Sequence, residues 1–227
     1  MSAILFSLND KLYLRDPQRT VIGQAIIRVS VEVIDREGFE KLTFRKVADQ
    51  IESTEATLYR YFENKFRLLQ YLSNWYWSIL NFNLSFHLNN IQDAEEKLKI
   101  CLQLLAGNKK SLGLTMLDEK ALHRIMISEF DKVFHVSSID QDYRDGLFSP
   151  FKDTCKTLAS IIKEINPKYP FPHSLVTTTI TAAKQQLYYS KHMPLLSDIK
   201  PDAKSANVQL YMFLEGLVFR AIKPKYE

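Results

Sequence analysis

The architecture of this chain is set by residues Arg19 to Leu69, which read RTVIGQAIIRVSVEVIDREGFEKLTFRKVADQIESTEATLYRYFENKFRLL. From Val21 to Ile34, apolar residues recur at steps of three and four, which is the spacing of one apolar stripe on a helix of about five turns. Asp16 and Pro17 predict the start of this helix. Gly38 predicts its end, because glycine takes the left-handed conformation that terminates helices without a steric cost.

Two shorter helices are predicted after this first one, with a break of a few residues between them. Thr43 is a good N-cap for the first of them, and Thr54 is a candidate N-cap for the second, which runs from Glu55 to Phe62. Two short helices with such a break have the spacing of a helix-turn-helix. The side chains that the second helix leaves for solvent or for a ligand are Thr57, Tyr59, Arg60 and Tyr61.

A larger helical body is predicted after Leu69. Apolar residues at helical spacing continue towards the end of the chain, and the last two helices run from about His173 to Met193 and from about Asp202 to Ala221. The chain has only 6 glycines and 8 prolines, which argues against an all-β fold with many tight turns. We therefore expect an all-α chain with two domains, residues 1–65 and residues 66–227.

The composition is that of an ordinary globular protein, with 46% hydrophobic and 25% charged residues. The formal net charge of +4 is compatible with a nucleic-acid partner but is too small to demonstrate one. Cys101 and Cys155 lie far apart in the sequence and are predicted to be free thiols, which favours a reducing cytoplasm. No apolar run reaches the length of about 18 residues that a membrane span needs, so we expect no membrane partner.

The sequence contains no constellation of residues that predicts catalysis. It lacks a glycine-rich phosphate loop and the HExxH, CxxC and GxSxG motifs, and its 5 histidines are dispersed. We therefore predict no catalytic residues, no metal site and no cofactor. A helical-bundle enzyme remains an alternative that would require a convergent polar cluster inside the bundle.

The opening stretch resembles the N-terminal DNA-binding domain of the tetracycline-repressor-like (TetR) family of transcriptional regulators. That family's pattern is a helix that ends in glycine, then L-T-x-R-x-[VI]-A, a turn, and T-L-Y-x-[YH]-F-x-[NS]-K-x-x-L. This chain departs from the pattern in the turn, where Glu52 and Ser53 replace the usual glycine and apolar residue. The matching residues are Gly38, Leu42, Thr43, Arg45, Val47, Ala48, Thr57, Leu58, Tyr59, Tyr61, Phe62, Asn64, Lys65, Leu68 and Leu69.

The resemblance implies that residues 1–65 form an N-terminal arm and a three-helix DNA-binding domain. Arg45 would pair with guanine in the major groove, and Ala56 would touch a thymine methyl group. Thr43 would donate to a phosphate, and Lys46 and Lys65 would bind phosphates electrostatically. The complete set of implied DNA-binding residues is Thr43, Arg45, Lys46, Thr54, Glu55, Ala56, Thr57, Tyr59, Arg60, Tyr61 and Lys65.

The resemblance also implies that residues 66–227 form a larger helical domain for effector binding and dimerisation. The chain would be a homodimeric repressor that binds a palindromic double-stranded DNA operator and is released by an unknown small-molecule effector. Aromatic residues suit a pocket between helices, and those predicted to line it are Trp75, Tyr76, Phe82, Phe130, Phe134 and Tyr188. The residues predicted for the dimer interface are Leu175, Ile180, Leu187, Leu210, Phe213, Leu214, Leu217 and Val218.

Each of these assignments has a plainer alternative. Thr43 and Thr54 would cap helices with or without DNA, and the Tyr61 side chain would also fit as a residue partly buried in the core. Arg45 and Lys46 would also fit as solvated charges on the surface. The aromatic residues predicted for the pocket and the apolar residues predicted for the dimer interface would also fit as core residues of the monomer. Because Glu52 and Glu55 are unfavourable near phosphates, a protein-interaction module with weakened DNA binding is the alternative function.

Overall fold

The computed structural model describes residues 5–108 and 116–223, and every regular element within those ranges is helical. The predicted all-α fold is confirmed. Short 3-10 helices occupy Asp10–Leu12, Pro17–Arg19, Phe39–Lys41, Phe130–Val133 and Pro194–Leu196. The α-helices are α1 Val21–Glu37, α2 Phe44–Gln50, α3 Glu55–Tyr59, α4 Lys65–Leu88, α5 Ala94–Leu105, α6 Glu119–Glu129, α7 Ile139–Arg144, α8 Ser149–Ile165, α9 Pro172–His192 and α10 Ala203–Ile222.

The chain divides into two compact units. The first unit comprises Met1–Ile79 and Gly113–Pro150, and the second comprises Leu80–Leu112 and Phe151–Glu227. By packing, residues 66–79 and 113–150 therefore group with the N-terminal helices, although the sequence assigned them to the second domain. The functional division at residue 65 stays a prediction.

Helix α1 begins later than the sequence indicated. The Asp16 carboxylate accepts a hydrogen bond of 2.9 Å from the backbone N–H of Gln18, which makes a 3-10 turn instead of the start of α1. Thr20 is the true cap, because its hydroxyl accepts from the N–H of Gly23 at 3.0 Å. A Cβ on Gly23 would lie 2.4 Å from the carbonyl oxygen of Pro17, so only glycine lets the turn pack this closely on α1.

The core of the first unit forms where α1, α2, α3 and α4 meet. The side chains of Ile26 and Val33 on α1 and of Val47 on α2 are completely buried. Leu58 on α3 and Phe62 just after it are also completely buried, as their spacing predicted. Burial of a side chain of this size contributes about 1.5–3 kcal/mol. The second and third helices therefore owe their positions to tertiary packing more than to their own length.

The N-terminal arm packs on the same unit. The backbone N–H of Leu14 donates to the carbonyl oxygen of Tyr61 at 2.8 Å, and Leu12 is completely buried. Asn9 donates from its side chain to the carbonyl oxygen of Asp145 at 2.9 Å, and the Lys11 ammonium lies 2.8 Å from the Asp145 carboxylate. These contacts connect the arm to the end of α3 and to the end of α7.

Tyr61 joins α1 to the segment that follows α3. Its hydroxyl lies 2.8 Å from the hydroxyl of Thr20, and its side chain is only 3% exposed. The guanidinium of Arg15 lies over the Tyr61 ring at 5.5 Å. The same Thr20 hydroxyl caps α1, so one short network fixes the start of α1 relative to the end of α3.

The turn between α2 and α3 contains a left-handed residue that is not glycine. Glu52 has φ +52°, and the N–H of Ser53 donates to the carbonyl oxygen of Ala48 at 2.9 Å, which closes the end of α2. The chain therefore makes a left-handed turn without the glycine that the family pattern places there. A non-glycine residue in this conformation costs about 1–2 kcal/mol.

The second unit is built around α10. The side chains of Leu210, Leu214 and Val218 are buried on one side of this helix, which packs on α9 and α5. The Asn166 side chain after α8 donates to the carbonyl oxygen of Ile222 at 2.8 Å, and the Asn207 side chain donates to the carbonyl oxygen of Gly107 at 2.9 Å. Both free cysteines, Cys101 and Cys155, are buried in this unit, as the sequence predicted.

Replacement of Glu52 by glycine is expected to stabilise the protein. Glu52→Gly removes the Cβ clash at positive φ and should raise the free energy of unfolding by up to about 1 kcal/mol, measured by urea titration. Asn90→Gly is the matched control, because Asn90 has φ +67° and asparagine already tolerates this conformation. A loss of stability in Glu52→Gly would show that the turn is not strained.

Removal of the Tyr61 hydroxyl is expected to destabilise the protein by about 1 kcal/mol, the usual net contribution of one intramolecular hydrogen bond. Tyr61→Phe keeps the ring and its packing but leaves the Thr20 hydroxyl with only the N–H of Gly23 as a partner. Tyr59→Phe is the control, because the Tyr59 ring is 50% exposed. Equal urea midpoints for the two variants would contradict a stabilising role for the Tyr61–Thr20 bond.

Candidate nucleic-acid interface

Helices α2 and α3 together form a helix-turn-helix, and they present one exposed polar face. The α2 helix ends at Gln50 and the α3 helix begins at Glu55, as the spacing predicted. Helix α3 is shorter than expected, because it ends at Tyr59 and not at Phe62. The predicted DNA-binding residues with exposed side chains are Thr43, Arg45, Thr54, Glu55, Ala56, Tyr59 and Arg60.

Arg45 is the cation of this face that is available to a ligand. Its side chain is exposed and has no hydrogen-bond or ion-pair partner within the described parts of the chain. Thr43 lies two residues earlier, and its hydroxyl accepts from the N–H of Lys46 at 3.2 Å. Thr43 is therefore the N-cap of α2, as predicted, and Arg45 projects from the first turn that this cap fixes.

Tyr59 is the aromatic residue of the face. Its ring packs edge-on against Phe44 of α2, with ring centroids 4.9 Å apart, while half of the side chain remains exposed. Phe44 is itself buried, so the contact holds the Tyr59 ring against a fixed part of α2. The arrangement suits a side chain that donates to a phosphate or packs on a base.

Lys46 has a different role from the one predicted. Its ammonium lies 2.7 Å from the Glu37 carboxylate and donates to the carbonyl oxygen of Lys41 at 3.2 Å. Hydrogen bonds from Lys46 and then from Arg36 lower the pKa of Glu37 to about 2. The charge of Lys46 is thus paired with an acid of α1, and the lysine joins α2 to α1.

Lys65 also has its charge committed within the protein. Its ammonium donates to the carbonyl oxygens of Phe39, Glu40 and Leu42 at 3.4, 3.3 and 3.4 Å. It also lies 4.8 Å from the centroid of the Phe39 ring. The side chain fastens the start of α4 to the α1–α2 connection, and in this structure its ammonium is not presented to a phosphate.

Thr57 and Tyr61 are placed in the core, although the sequence assigned both to the exposed face. Thr57 is only 5% exposed, and its hydroxyl lies 3.1 Å from both the Thr54 hydroxyl and an Arg60 guanidinium nitrogen. Thr57 lies next to Leu58, which is completely buried, and both side chains face the core. Thr54 occupies the cap position, but its side chain bonds to Thr57 and not to a backbone N–H.

Acidic residues border the face. The side chains of Asp49, Glu52 and Glu55 are exposed on α2, on the turn and on the first residue of α3. They oppose Arg45 and Arg60 electrostatically and lower the affinity of the face for a polyanion. A polyanion would therefore have to be recognised by a small number of well-placed contacts.

A contact that the sequence did not reveal fixes the helix-turn-helix from α6. The carboxylate of Glu129, which is buried, accepts from the backbone N–H of Phe39 at 3.3 Å. Lys132 lies 3.0 Å from this carboxylate and 2.5 Å from that of Glu40. No local pattern signals it, because Phe39 and Glu129 are 90 positions apart.

A second missed contact joins α4 to α7. The Asp142 carboxylate is buried, and it accepts from Arg67 and from Gln70 at 2.9 Å each. The Ser138 hydroxyl donates to the same carboxylate at 3.0 Å. No local pattern in the sequence identifies Asp142 as a buried anchor, because Arg67 lies 75 positions away.

The residues predicted for a ligand pocket belong to both units. Tyr76, Phe130 and Phe134 lie in the first unit, where Phe130 contacts Phe134 with ring centroids 4.7 Å apart. Trp75 is completely buried and contacts Phe6 and Tyr71 instead. Phe82 and Tyr188 belong to the second unit.

The residues predicted for a dimer interface divide into three sets by burial. Ile180, Leu210, Leu214 and Val218 are buried in the second unit and fill the core of the monomer. Leu175 and Leu187 are half-buried. Phe213 and Leu217 are exposed, and they share α10 with two further exposed apolar side chains, Val208 and Met212.

Metal and membrane features are absent from the parts of the chain that the structure describes. In those ranges, no group of three or more His, Cys, Asp or Glu side chains is arranged to hold a metal ion. None of the helices there is long and apolar enough to cross a membrane.

Comparison with known proteins connects this geometry to a family. Residues 26–72 match the family model of bacterial regulatory proteins, tetR family. The matched range contains α2, the turn and α3, together with most of α1 and the start of α4. No curated protein matches the sequence.

Solved structures share the fold across most of the chain. AibR in complex with isovaleryl coenzyme A and operator DNA is 16% identical, with 86% of this chain and 97% of that chain covered and a TM-score of 0.58. The fatty acid degradation regulator FadR from Bacillus halodurans is 20% identical, with 85% and 93% covered and a TM-score of 0.54. The TetR family transcriptional regulator PfmR from Thermus thermophilus is 13% identical, with 88% and 99% covered and a TM-score of 0.58.

At these identities the solved structures establish a shared fold, and the family model identifies the helix-turn-helix that the fold presents. Residues 26–72 of this chain therefore carry the helix-turn-helix sequence of the tetR family of bacterial regulatory proteins, and the chain as a whole shares the fold of solved regulators of that family.

Proposed function

We propose that this chain is a DNA-binding transcriptional repressor that binds a palindromic operator as a homodimer and is released by a small-molecule effector. The observation that carries the proposal is the exposed face of α2 and α3 with an unpaired guanidinium, that of Arg45, beside the partly exposed ring of Tyr59. Both helices belong to the segment that matches the family model.

The exposed residues divide naturally by contact type. Arg45 would read guanine through its O6 and N7 atoms, and Ala56 is small enough to touch a thymine methyl group. Thr43, Tyr59 and Arg60 would bind phosphates and set the register on the duplex. The buried Thr57 and Tyr61, and the internally paired Lys46 and Lys65, would hold this face in shape and would not touch DNA.

Exposed apolar residues on α10 support the homodimer. Val208, Met212, Phe213 and Leu217 lie at helical spacing and are all exposed, while Leu210, Leu214 and Val218 of the same helix are buried in the second unit. A Cβ on Gly216 would meet nothing within 4 Å, so a second helix could approach closely there. A second copy of α10 would cover this surface in a two-fold interface.

Effector release would follow from a population shift. The AibR structure holds both isovaleryl coenzyme A and operator DNA, and it shares the fold of this chain. An effector that prefers one arrangement of the two recognition helices would lower operator affinity by its differential affinity for the two states. The physical requirement is an effector site that is connected to the α1–α2 region.

Removal of the Arg45 guanidinium is expected to weaken operator binding tenfold or more, since a bidentate contact to guanine contributes about 1–3 kcal/mol. Arg45→Ala would be compared with the unchanged protein by mobility shift on the DNA upstream of its own gene. Arg144→Ala is the matched control, because Arg144 is an exposed arginine of α7 whose side chain hydrogen-bonds to Gln141.

The same titration at several salt concentrations separates the regulator from the alternative function. Binding through phosphate contacts should weaken as salt rises, with a logarithmic slope of about −0.9 for each contact. A salt slope near zero would favour the protein-interaction module, and equal affinity in Arg45→Ala and Arg144→Ala would contradict a DNA contact from Arg45.

A charge on the exposed side of α10 is expected to dissociate the dimer. Phe213→Asp would bury an unpaired carboxylate if the two copies met there, which costs several kcal/mol. Sedimentation equilibrium should then report a monomer, while Ser160→Asp, on an exposed position of α8, should remain dimeric. A Phe213→Asp protein that stays dimeric would place the interface elsewhere.

A further inference from the structure

Six aromatic and imidazole rings form a continuous cluster in the first unit. Tyr76 and Trp77 are neighbours on α4, and Tyr76 contacts His123 of α6 with ring centroids 5.9 Å apart. From Trp77 the contacts continue through Phe130 and Phe134 to Phe148, with ring centroids 5.3, 4.7 and 5.3 Å apart in that order. The cluster combines a large apolar surface with one polar pair.

That polar pair is the hydrogen bond between Tyr76 and His123. The Tyr76 hydroxyl lies 3.1 Å from Nδ1 of His123. If the phenol donates, then Nδ1 accepts and the ring proton is on Nε2. If Nδ1–H donates instead, both the phenol O–H and the Nε2 lone pair lack partners. The first arrangement leaves fewer buried polar atoms unpaired, so it is the favoured one.

In this arrangement Nε2–H of His123 is a buried donor without an acceptor. Nε2 is covered by protein and makes no hydrogen bond in the described structure. As whole residues, His123 and Tyr76 are half-buried. A buried unpaired donor costs about 1–3 kcal/mol, and an acceptor that reached it would recover this cost.

The imidazole is neutral at ordinary pH. Burial, and then the positive charge of Arg124, lower the pKa of His123 to about 4. Burial also raises the pKa of Tyr76 well above its usual value, so the phenol keeps its proton. The guanidinium of Arg124 is itself paired with Asp35 at 2.7 Å. The pair therefore offers a neutral N–H and no net charge to a ligand.

This chemistry selects a class of ligand. A carboxylate placed against neutral groups and aromatic rings would lose its hydration without a counter-charge, which is costly. A hydrocarbon would pack on the aromatic rings but would leave Nε2–H of His123 without an acceptor. An uncharged, mainly apolar molecule with a carbonyl oxygen satisfies both.

We propose that the Tyr76–His123 pair is the polar recognition element of an effector site, and that it takes an uncharged apolar ligand through a carbonyl oxygen, as in an ester, ketone or lactone. This inference rests on the effector-release part of the proposed function. The carbonyl oxygen accepts from Nε2–H after a small rotation of the imidazole, and the apolar part of the ligand reaches Trp77 and Phe130, which are buried without a ligand, only when side chains of the cluster move.

The position of His123 gives the site a route to the helix-turn-helix. His123 lies on α6 next to Arg124, which binds Asp35 of α1 through two hydrogen bonds of 2.8 and 2.7 Å. The same helix ends at Glu129, which accepts from the N–H of Phe39 between α1 and α2. A ligand that moves α6 therefore acts on two contacts that position α1 and its connection to α2.

Binding of three matched probes to the full chain without DNA tests the inference. The probes are methyl octanoate, octanoate and octane, which differ in having a neutral carbonyl, a charged carboxylate or no acceptor. Calorimetry should show methyl octanoate binding about tenfold more tightly than either of the others, as one hydrogen bond implies. In ¹⁵N-histidine NMR spectra, the ester should shift the Nε2 signal of His123.

His123→Phe removes the donor and keeps a ring, so it should reduce methyl octanoate affinity about tenfold and leave octane affinity unchanged. His135→Phe is the control, because His135 is an exposed histidine of the same unit. If His123→Phe does not fold, Tyr76→Phe is the second variant, because it removes the hydrogen bond that favours the Nε2–H tautomer of His123. Tyr76→Phe should still weaken the binding of methyl octanoate and leave the binding of octane unchanged.

Absence of ester binding, preference for octanoate, or equal ester affinity in His123→Phe and His135→Phe would overturn the inference. These measurements contain no DNA. Ester binding combined with a failed mobility shift would therefore refute the proposed repressor and not this site, and the reverse result would refute only the site.

Discussion

A helix of five residues cannot maintain its shape alone in water, so the presentation of α3 depends on contacts that fix both of its ends. At its start the hydroxyls of Thr54 and Thr57 bond to each other, and in its middle Leu58 is completely buried. Beyond its end, Tyr61 bonds through its hydroxyl to Thr20 and through its carbonyl oxygen to the N–H of Leu14. The buried side chains of Thr57, Leu58 and Tyr61 hold α3 in place, and this fixes the positions of the exposed residues on the same helix.

The same requirement explains where the basic side chains go. Lys46 pairs with the carboxylate of Glu37, and Lys65 donates to carbonyl oxygens of the α1–α2 connection. These contacts fasten α2 and α4 to α1. The cost is a smaller positive surface, since Arg45 and Arg60 remain exposed beside Glu52 and Glu55. A face of this kind would gain affinity from shape and from two copies acting together more than from its charge.

Local signals in the sequence predicted the local structure well. Gly38 at φ +86° ends α1, and Thr43 caps α2, because both features depend on residues within one helical turn. The direction of Thr57 and Tyr61 could not be derived this way, since five helical residues are too few to define a face by periodicity. Partners distant in sequence, such as Glu129 for Phe39 and Asp142 for Arg67, leave no local pattern at all.

The dimer residues show the same limit in the second unit. Periodicity marked Leu210, Leu214 and Val218 together with Phe213 and Leu217 as apolar, but it could not say which side of α10 meets the monomer's own core. Leu210, Leu214 and Val218 are buried in the core of the second unit, whereas Phe213 and Leu217 are exposed. A helix that is apolar on two sides needs a neighbour on each side. Helices α9 and α5 supply one, and the homodimer that we propose would supply the other.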